Sequence, residues 1–429
     1  MSTRATRLSP DFWRFFVGQT ISQLGSSFTL FALPLLVFKL TGSPVNLGVT
    51  AAAEFVPYLL FGLVIGAWVD RVNRKRMMIV VDVARALVVV TIPILGYTHG
   101  LEVWQVYAVA FANSTLTIWF DSGEFAAIPS LVGRGDLVTA NGRIQASYSA
   151  AQVAGPILAG LLLSVAPVYD VLIVDAASFI VSAFTLMLVR GSFNQEREDR
   201  GRSTIRADVV EGLRYVLGHP ILRNISAMMA LFNFVAVTTF SQLVLFAKTE
   251  LSATDTRVAF LFAAGSLGVV LLGLLAGAIR RRLTFAPAAL GSLMAIGVLT
   301  AWFAYNRMYW LALVLWGLIS GLGIFFNINT GSLRQAIVPG HLLGRIISIA
   351  GVLAWSAQPL GALVGGFLIH WTGNVALIYF SIGLVLIAIA LGFHLFSPLG
   401  HAEDYLPGGR LAEPVVPELR EPGEVISGR

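Results

Sequence analysis

The sequence predicts an all-α membrane protein of twelve transmembrane helices set in two bundles of six, and three observations carry that prediction. Hydrophobic residues make up 56% of the 429 positions and charged residues only 12%, half the share of about 25% in soluble domains, so a globule of this composition would lack the polar surface to coat itself. Twelve successive runs reach the roughly 20 apolar residues that cross a bilayer. One long charged loop divides them six and six. Soluble enzymes and adaptors are excluded on these grounds. The net charge of +6 does not point to nucleic acid, because the bases sit between apolar runs rather than on one polar face. With no cysteine in the chain, disulfides, thiol catalysis and thiolate metal sites are excluded as well.

The first six runs are Arg14 to Phe38, Asn46 to Trp68, Met77 to Tyr97, Val103 to Glu124, Gln145 to Ala166 and Val171 to Val189. The first is too long for a signal-peptide core and lacks a small-residue cleavage site, so it is read as a retained helix. The second six are Asn224 to Ala247, Arg257 to Ile279, Phe285 to Tyr305, Tyr309 to Asn329, Ile346 to His370 and Val375 to Phe396. The expected organisation is a first bundle over 1–190, a cytoplasmic linker over 191–223, a second bundle over 224–396 and a disordered cytoplasmic tail over 397–429. The linker is dense in charge (NQEREDRGRSTIRAD), and the tail mixes Pro, Gly and Glu without apolar period. Of the Lys and Arg residues, 24 fall in the termini and alternate loops that include 71–76 and 190–223, against four (Lys39, Lys248, Arg257, Arg307) on the other side. The positive-inside rule then places both termini in the cytoplasm.

The halves echo each other. Gly66-x-x-x-Asp70-Arg71-x-x-Arg74-Lys75 follows the second run, and Gly273-x-x-x-Gly277-x-x-x-Arg281-Arg282 follows the eighth, with the acid missing. Gly142-Arg143-Ile144 precedes Pro156 much as Gly344-Arg345-Ile346 precedes Pro359. Such a parallel repeat of six helices builds a central site between halves in transporters.

Ionisable groups within a membrane cost a few kcal/mol each unless paired, and mark function by default. Here they are Glu54, Asp82, Arg85, Asp121, Glu124 and Asp175, all in the first half. Asp82 and Arg85, three apart, read as a neutralised pair bracing the Asp70 loop. Asp121 and Glu124, also three apart and near the inner mouth, are either a solvated helix end or a proton or substrate site. Asp175 is read as wet, lying close to the outer surface. Glu54 stands about 12 Å below the outer edge with no base within four positions, which makes it either a proton carrier or a permanently neutral packing residue. Polar stripes at helical spacing suggest a wet cavity: Gln19, Ser22, Gln23 and Ser26; Asn113, Thr117, Asp121 and Glu124; Gln145, Tyr148, Ser149, Gln152 and Pro156. His370 and His394 are read as interfacial anchors.

The segment GAWVDRVNRKR, with Gly66, Asp70, Arg71 and Arg74, resembles the loop 2–3 signature of the major facilitator superfamily, and GPxxxG at Gly155, Pro156 and Gly160 resembles its antiporter motif in helix 5. SPVNLG, EFVPYLLFG, VDVARAL, AAIPSLV, LVTANGRIQASYSAAQVAGP and LRQAIVP are similar to the branch that holds the enterobactin and macrolide exporters. The resemblance spans almost all of residues 12–396. It implies alternating access by two bundles, a gate at the Asp70 loop latched against helix 11 and supported by Asp82 and Arg85, and a path lined by helices 1, 4, 7 and 10. That adds Gln242 and Asn327 to the expected cavity residues Gln19, Gln23, Asn113, Thr117 and Gln152.

No HExxH, GxSxG or GxxxxGKS pattern is present, so proteolytic, lipolytic and ATP-driven chemistry has no residue set. The expectation is a non-enzymatic, cofactor-free, metal-free, monomeric proton antiporter of the bacterial inner membrane that exports a small amphipathic drug, antibiotic or siderophore-like molecule. Its partners are cargo, protons and lipid, with no nucleic acid. A proton-coupled uptake symporter is the first alternative; a membrane sensor or lipid scramblase is the second.

Overall fold

The computed structural model describes residues 8–69, 72–132, 137–193, 205–280, 282–338 and 343–405. The first half comprises α1 (Pro10–Thr41), α2 (Pro44–Val69), α3 (Arg74–Tyr97), α4 (Val103–Leu131), α5 (Leu137–Leu162) and α6 (Val168–Leu188). A short helix α7 (Ile205–Gly218) precedes the second half, which comprises α8 (Pro220–Ser241), α9 (Leu243–Thr249), α10 (Asp255–Arg280), α11 (Gly291–Tyr305), α12 (Tyr309–Ile337), α13 (Leu343–Trp355), α14 (Gln358–Thr372) and α15 (Val375–Phe396). Ten spans are long and apolar enough to cross a membrane on length and composition alone; α4 and α5, which carry much of the polar stripe, complete twelve.

Local sequence sets the ends. Ser9 caps α1 by accepting from the Phe12 N–H, Pro10 occupies its first turn, and Gly42 ends it in the left-handed region at φ 60°. Pro44 then opens α2. Asn73 caps α3, His219 and Pro220 start α8, and Asn374 caps α15 directly after Gly373 has closed α14 at φ 64°.

Three features depart from the sequence reading. The linker contains α7, whose apolar side (Leu213, Val216) packs with Leu222, Val338, Ile346 and Ile349 beside α13. The seventh span is broken at Gln242 into α8 and α9, and the eleventh is broken after Trp355 into α13 and α14. Pro359 has no N–H to give the Trp355 carbonyl, and Asn233 of α8 braces this break, donating to the Ala354 carbonyl at 3.0 Å and accepting from Gln358 at 3.3 Å. Finally, the tail begins with a 3-10 segment, Pro398–Tyr405, that buries Leu399 and Ala402; the expectation of disorder beyond it falls outside the described residues.

Within the first half α1 packs on α5 and α6, α2 on α4, and α3 on α4 and α6; within the second, α10 packs on α12, α11 on α15, and α8 on α14. Small residues allow the closest of these approaches. A Cβ at Gly268 would stand 1.8 Å from the Gly317 carbonyl oxygen, and one at Gly361 would stand 2.0 Å from that of Phe234.

The halves meet through α2 with α14 and through α5 with α10. Their described contacts gather at one end of the molecule. There Lys39 of α1 pairs with Asp255 of α10, Gln242 donates to the Pro44 carbonyl at 2.8 Å, and Gly48 and Gly366 let α2 and α14 touch backbone to backbone. Towards the other end, the Arg74 end, the last described ring contact across the halves is Tyr58 edge-on to Trp355 at 5.8 Å. Beyond it Asp121, Phe125 and Asn327 are exposed, so among the described residues the cleft between the halves opens at the Arg74 end.

Candidate functional site

The candidate site is the interior of the first half where it faces this cleft. Arg85, in the middle of α3, is its centre. Its guanidinium lies 3.7 Å from Asp82, within hydrogen-bond reach of Ser26 on α1 (3.3 Å) and Asn113 on α4 (3.5 Å), and over the Phe179 ring of α6 at 3.9 Å. The expected Asp82–Arg85 pair therefore forms, and the arginine joins α1, α3, α4 and α6 through their cores; the brace expected between this pair and the Asp70 loop falls outside the described residues. Both side chains are buried, because α3 is enclosed by α4 and α6 at this depth.

Asp175 is the plainest correction. It is wholly buried, accepts from the Thr29 hydroxyl of α1 and lies beside Ser178. Its face of α6 packs on α1, so it is dry. Glu124 is buried too, with Oε2 accepting from the Tyr148 hydroxyl of α5 at 2.6 Å and Oε1 without a partner among the described residues. Asp121, one turn away on α4, is exposed and has no hydrogen bond or ion pair among the described residues. The two acids read together as one site thus sit in different surroundings.

Glu54 is half-buried in α2, and its backbone carbonyl accepts from Ser114 of α4 at 2.5 Å. Among the described residues no hydrogen bond or ion pair reaches its carboxyl, while Tyr58, one turn on, lies in the electrostatic reach of Asp121, Arg85 and Glu54 together. Tyr58 was missed by sequence reading, although its i+4 spacing from Glu54 puts both on one face.

The remaining expected cavity residues divide. Gln23, Asn113 and Thr117 are half-buried and Gln152 and Asn327 exposed, whereas Gln19 is buried against Ser182 of α6 at 3.1 Å. Gln242 is wholly buried in the contact between halves at the Lys39 end, where it closes the cleft and does not line it.

Gly155 and Gly160 each serve a neighbour. A Cβ at Gly155 would fall 1.7 Å from the Ser27 hydroxyl of α1, and one at Gly160 would fall 2.6 Å from the Ala259 side chain of α10, across the halves. Pro156 leaves the Gln152 carbonyl without its helical donor. Gly66 lies in the last turn of α2, and Asp70 and Arg71 lie outside the described residues, as does the latch expected of them. Arg74 opens α3 and donates to the Phe193 carbonyl at 3.2 Å, and Lys75 reaches the Val189 carbonyl, so the start of α3 is tied to the end of α6.

No group of three or more His, Asp or Glu suited to a metal occurs among the described residues. What the arrangement can do is hold a proton or a cation on Glu54 or Asp121 beside a wall of aromatic rings.

Comparison with known proteins bears on this geometry. The sequence model of the family described as Major Facilitator Superfamily matches residues 15–333. The chain is 27% identical over 381 residues to the multidrug efflux pump Tap of Mycolicibacterium fortuitum, covering 86% of this chain and 92% of that one. It is 26% identical over 359 residues to the macrolide efflux protein A of Streptococcus pyogenes, covering 82% and 88%. Among solved structures it is similar to the nucleoside transporter NupG, with a TM-score of 0.71 at 12% identity over 90% of this chain and 98% of that one. It is also similar to an inward-facing bacterial homologue of the human lysosomal transporter Spinster, with a TM-score of 0.70 at 13% identity over 92% and 97%.

Proposed function

The chain belongs to the major facilitator superfamily, and we propose that within it the chain exports small amphipathic molecules of the drug, antibiotic or siderophore-like kind across the bacterial inner membrane by proton antiport. The observation that carries this reading is the pair of carboxyls facing the cleft, Glu54 and Asp121, which have no ion-pair partner among the described residues. An acid in a low-dielectric wall exchanges its proton when water or a cationic group arrives, which is what coupling requires. Tyr58, Phe61, Phe111 and Trp355 supply apolar surface on either side. Relatives named as efflux pumps at 26–27% identity favour the export direction.

On this reading Glu54 carries the proton, Asp121 and Glu124 are secondary sites, and the Asp70 loop with Arg71 and Arg74 gates the Arg74 end, which faces the cytoplasm together with both termini. The bundles are 1–190 and 224–396, with α7 inside the linker. The cleft, open at the Arg74 end, is then the state that loads cargo from inside.

Reconstitution in proteoliposomes with the cationic dye rhodamine 123 tests the reading. Glu54→Gln keeps size and hydrogen bonding but cannot titrate, so it should abolish efflux driven by a pH gradient and still allow downhill movement. Normal gradient-driven efflux by that variant would move coupling to Asp121 or Glu124. Orientation is checked separately in this cysteine-free chain: Ser43→Cys should react with an impermeant thiol reagent from outside cells, and Gly218→Cys only after permeabilisation.

A further inference from the structure

The second half holds one buried charge that the proton-coupling reading does not use. Arg334, one turn from the end of α12, is 8% exposed. Its Nη2 donates to the sulfur of Met229 on α8 at 3.1 Å, its Nε has no partner, and no acid pairs with it among the described residues. A thioether is a weak acceptor without charge. The negative end of α12 offsets part of the cost, yet among the described residues no carbonyl accepts from the guanidinium. A cation this dehydrated needs a counter-ion. The repeat does not provide one, since Gly277 stands where the first half carries Asp70.

The position of Arg334 says where the counter-ion comes from. Trp310, Val314 and Leu318 are exposed on one side of α12, the side that meets lipid. Asn327, nine residues or about two and a half turns after Leu318, is exposed on the opposite side. Arg334 follows Asn327 by seven residues, about two turns, and so shares the face that looks into the cleft. On the exporter reading the cleft's negative charge is that of Asp121 and Glu54 in the first half. On the Arg334 side, Ser226 of α8, one turn before Met229, buries a hydroxyl that also lacks a partner among the described residues.

We propose that Arg334 is an oxyanion subsite of the cleft, which binds a carboxylate or similar anionic group carried by the cargo while the acidic wall of the first half takes its cationic part. The preferred cargo is then zwitterionic as well as amphipathic. This rests on the exporter reading, which by itself asks only for a cation.

Two dyes that differ by one group test it. Rhodamine 110 bears a free carboxylate, and rhodamine 123 is its methyl ester on the same cationic ring system. Binding is measured by fluorescence polarisation to the full chain in phosphatidylcholine nanodiscs, where no lipid anion competes. Arg334→Gln should weaken rhodamine 110 about tenfold, the loss of one charge-assisted contact, and rhodamine 123 less than about twofold. Arg334→Lys should restore most of the difference, and retained rhodamine 123 binding shows that each variant is folded. Equal effects on both dyes, or none on rhodamine 110, overturn the subsite while leaving the exporter reading in place. Failure of wild type to bind either dye removes both. If phosphatidylglycerol in the nanodisc displaces rhodamine 110 only when Arg334 is present, the oxyanion is a lipid headgroup and the cargo assignment falls.

Discussion

The two halves share a helix plan and differ in what they bury. The first encloses Asp82, Arg85, Glu124 and Asp175 and shows Glu54 and Asp121 to the cleft; the second, over its described spans, buries Arg334 as its one charge deep among neighbours and is otherwise held by glycine contacts. Duplication of a scaffold therefore did not duplicate its chemistry. Charge crowded into one half makes that half the responsive one, because burying a carboxyl ties its energy to protons and cations. The other half is joined instead by close backbone approaches at Gly268 and Gly361.

Removing the central cation of each half should break this comparison most visibly. Arg85→Met leaves Asp82 buried and unpaired and should cost about 3–5 kcal/mol, whereas adding Asp82→Leu should recover most of it. Arg334→Met loses only the sulfur contact and should leave stability unchanged or slightly raised. Thermal unfolding in detergent, with the dye-free protein, compares the two. Equal losses would mean that both arginines are structural.

Glycine contacts come next. Gly268→Ala places a methyl 1.8 Å from a backbone oxygen, while Gly155→Ala meets a serine hydroxyl at 1.7 Å. Backbone cannot rotate away, so the first change should destabilise by several kcal/mol, in the upper part of the range of about 1–3 kcal/mol for overpacking or beyond it, and the second by about 1 kcal/mol. Ser27→Ala should rescue Gly155→Ala. No second-site side-chain change should rescue Gly268→Ala.

Most of the helical plan was legible because a span is a local property: some 20 apolar residues in a row suffice. Side-chain surroundings are not local. Asp175 looked wet from its distance to the helix end, and only the packing of α6 on α1 shows it dry. Arg334 counted only as one of the 24 Lys and Arg residues on the cytoplasmic side, and its packing against Met229 is what shows it buried. Helix α7 escaped because its charges mask a short apolar side, Leu213 and Val216, that finds its partners in Ile346 and Ile349, more than a hundred residues later. The breaks at Gln242 and after Trp355 do leave a local mark, Thr238-Thr239-Phe240-Ser241-Gln242 and Ser356-Ala357-Gln358-Pro359, but a rule that counts some 20 mostly apolar residues reads through both. Glu54 and Asp121, by contrast, could be named as candidates from residue type alone.

A gentler contrast lies at the entry helices. Ser9 caps α1 and does not titrate, but His219 caps α8 through Nδ1, accepting from the Leu222 N–H at 3.5 Å. Burial holds His219 below its ordinary pKa of 6.5. The folded state thus favours neutral imidazole: the contribution is complete above pH 6.5 and is lost as pH falls through the lower folded value. His219→Asn, which keeps a cap that cannot protonate, should flatten the acid side of the stability profile by about 0.5–1 kcal/mol, as read from melting temperature against pH. An unchanged profile would assign the acid sensitivity elsewhere.

The shared carboxylate at the closed end has a bearing on direction. Asp255 is held by Lys39 from the first half and by Lys248 of its own half, the latter at 2.5 Å. When the halves part there, Asp255 keeps Lys248 and Lys39 goes to water. Only a solvent-side pair is exchanged, worth about 0–1 kcal/mol, so this contact biases the two orientations by no more than about fivefold at room temperature. This ion pair therefore gives the carrier no built-in arrow. Which way the cargo runs is then decided by the gradients on either side of the membrane, and reversing them should make the same protein fill a vesicle that it would otherwise empty.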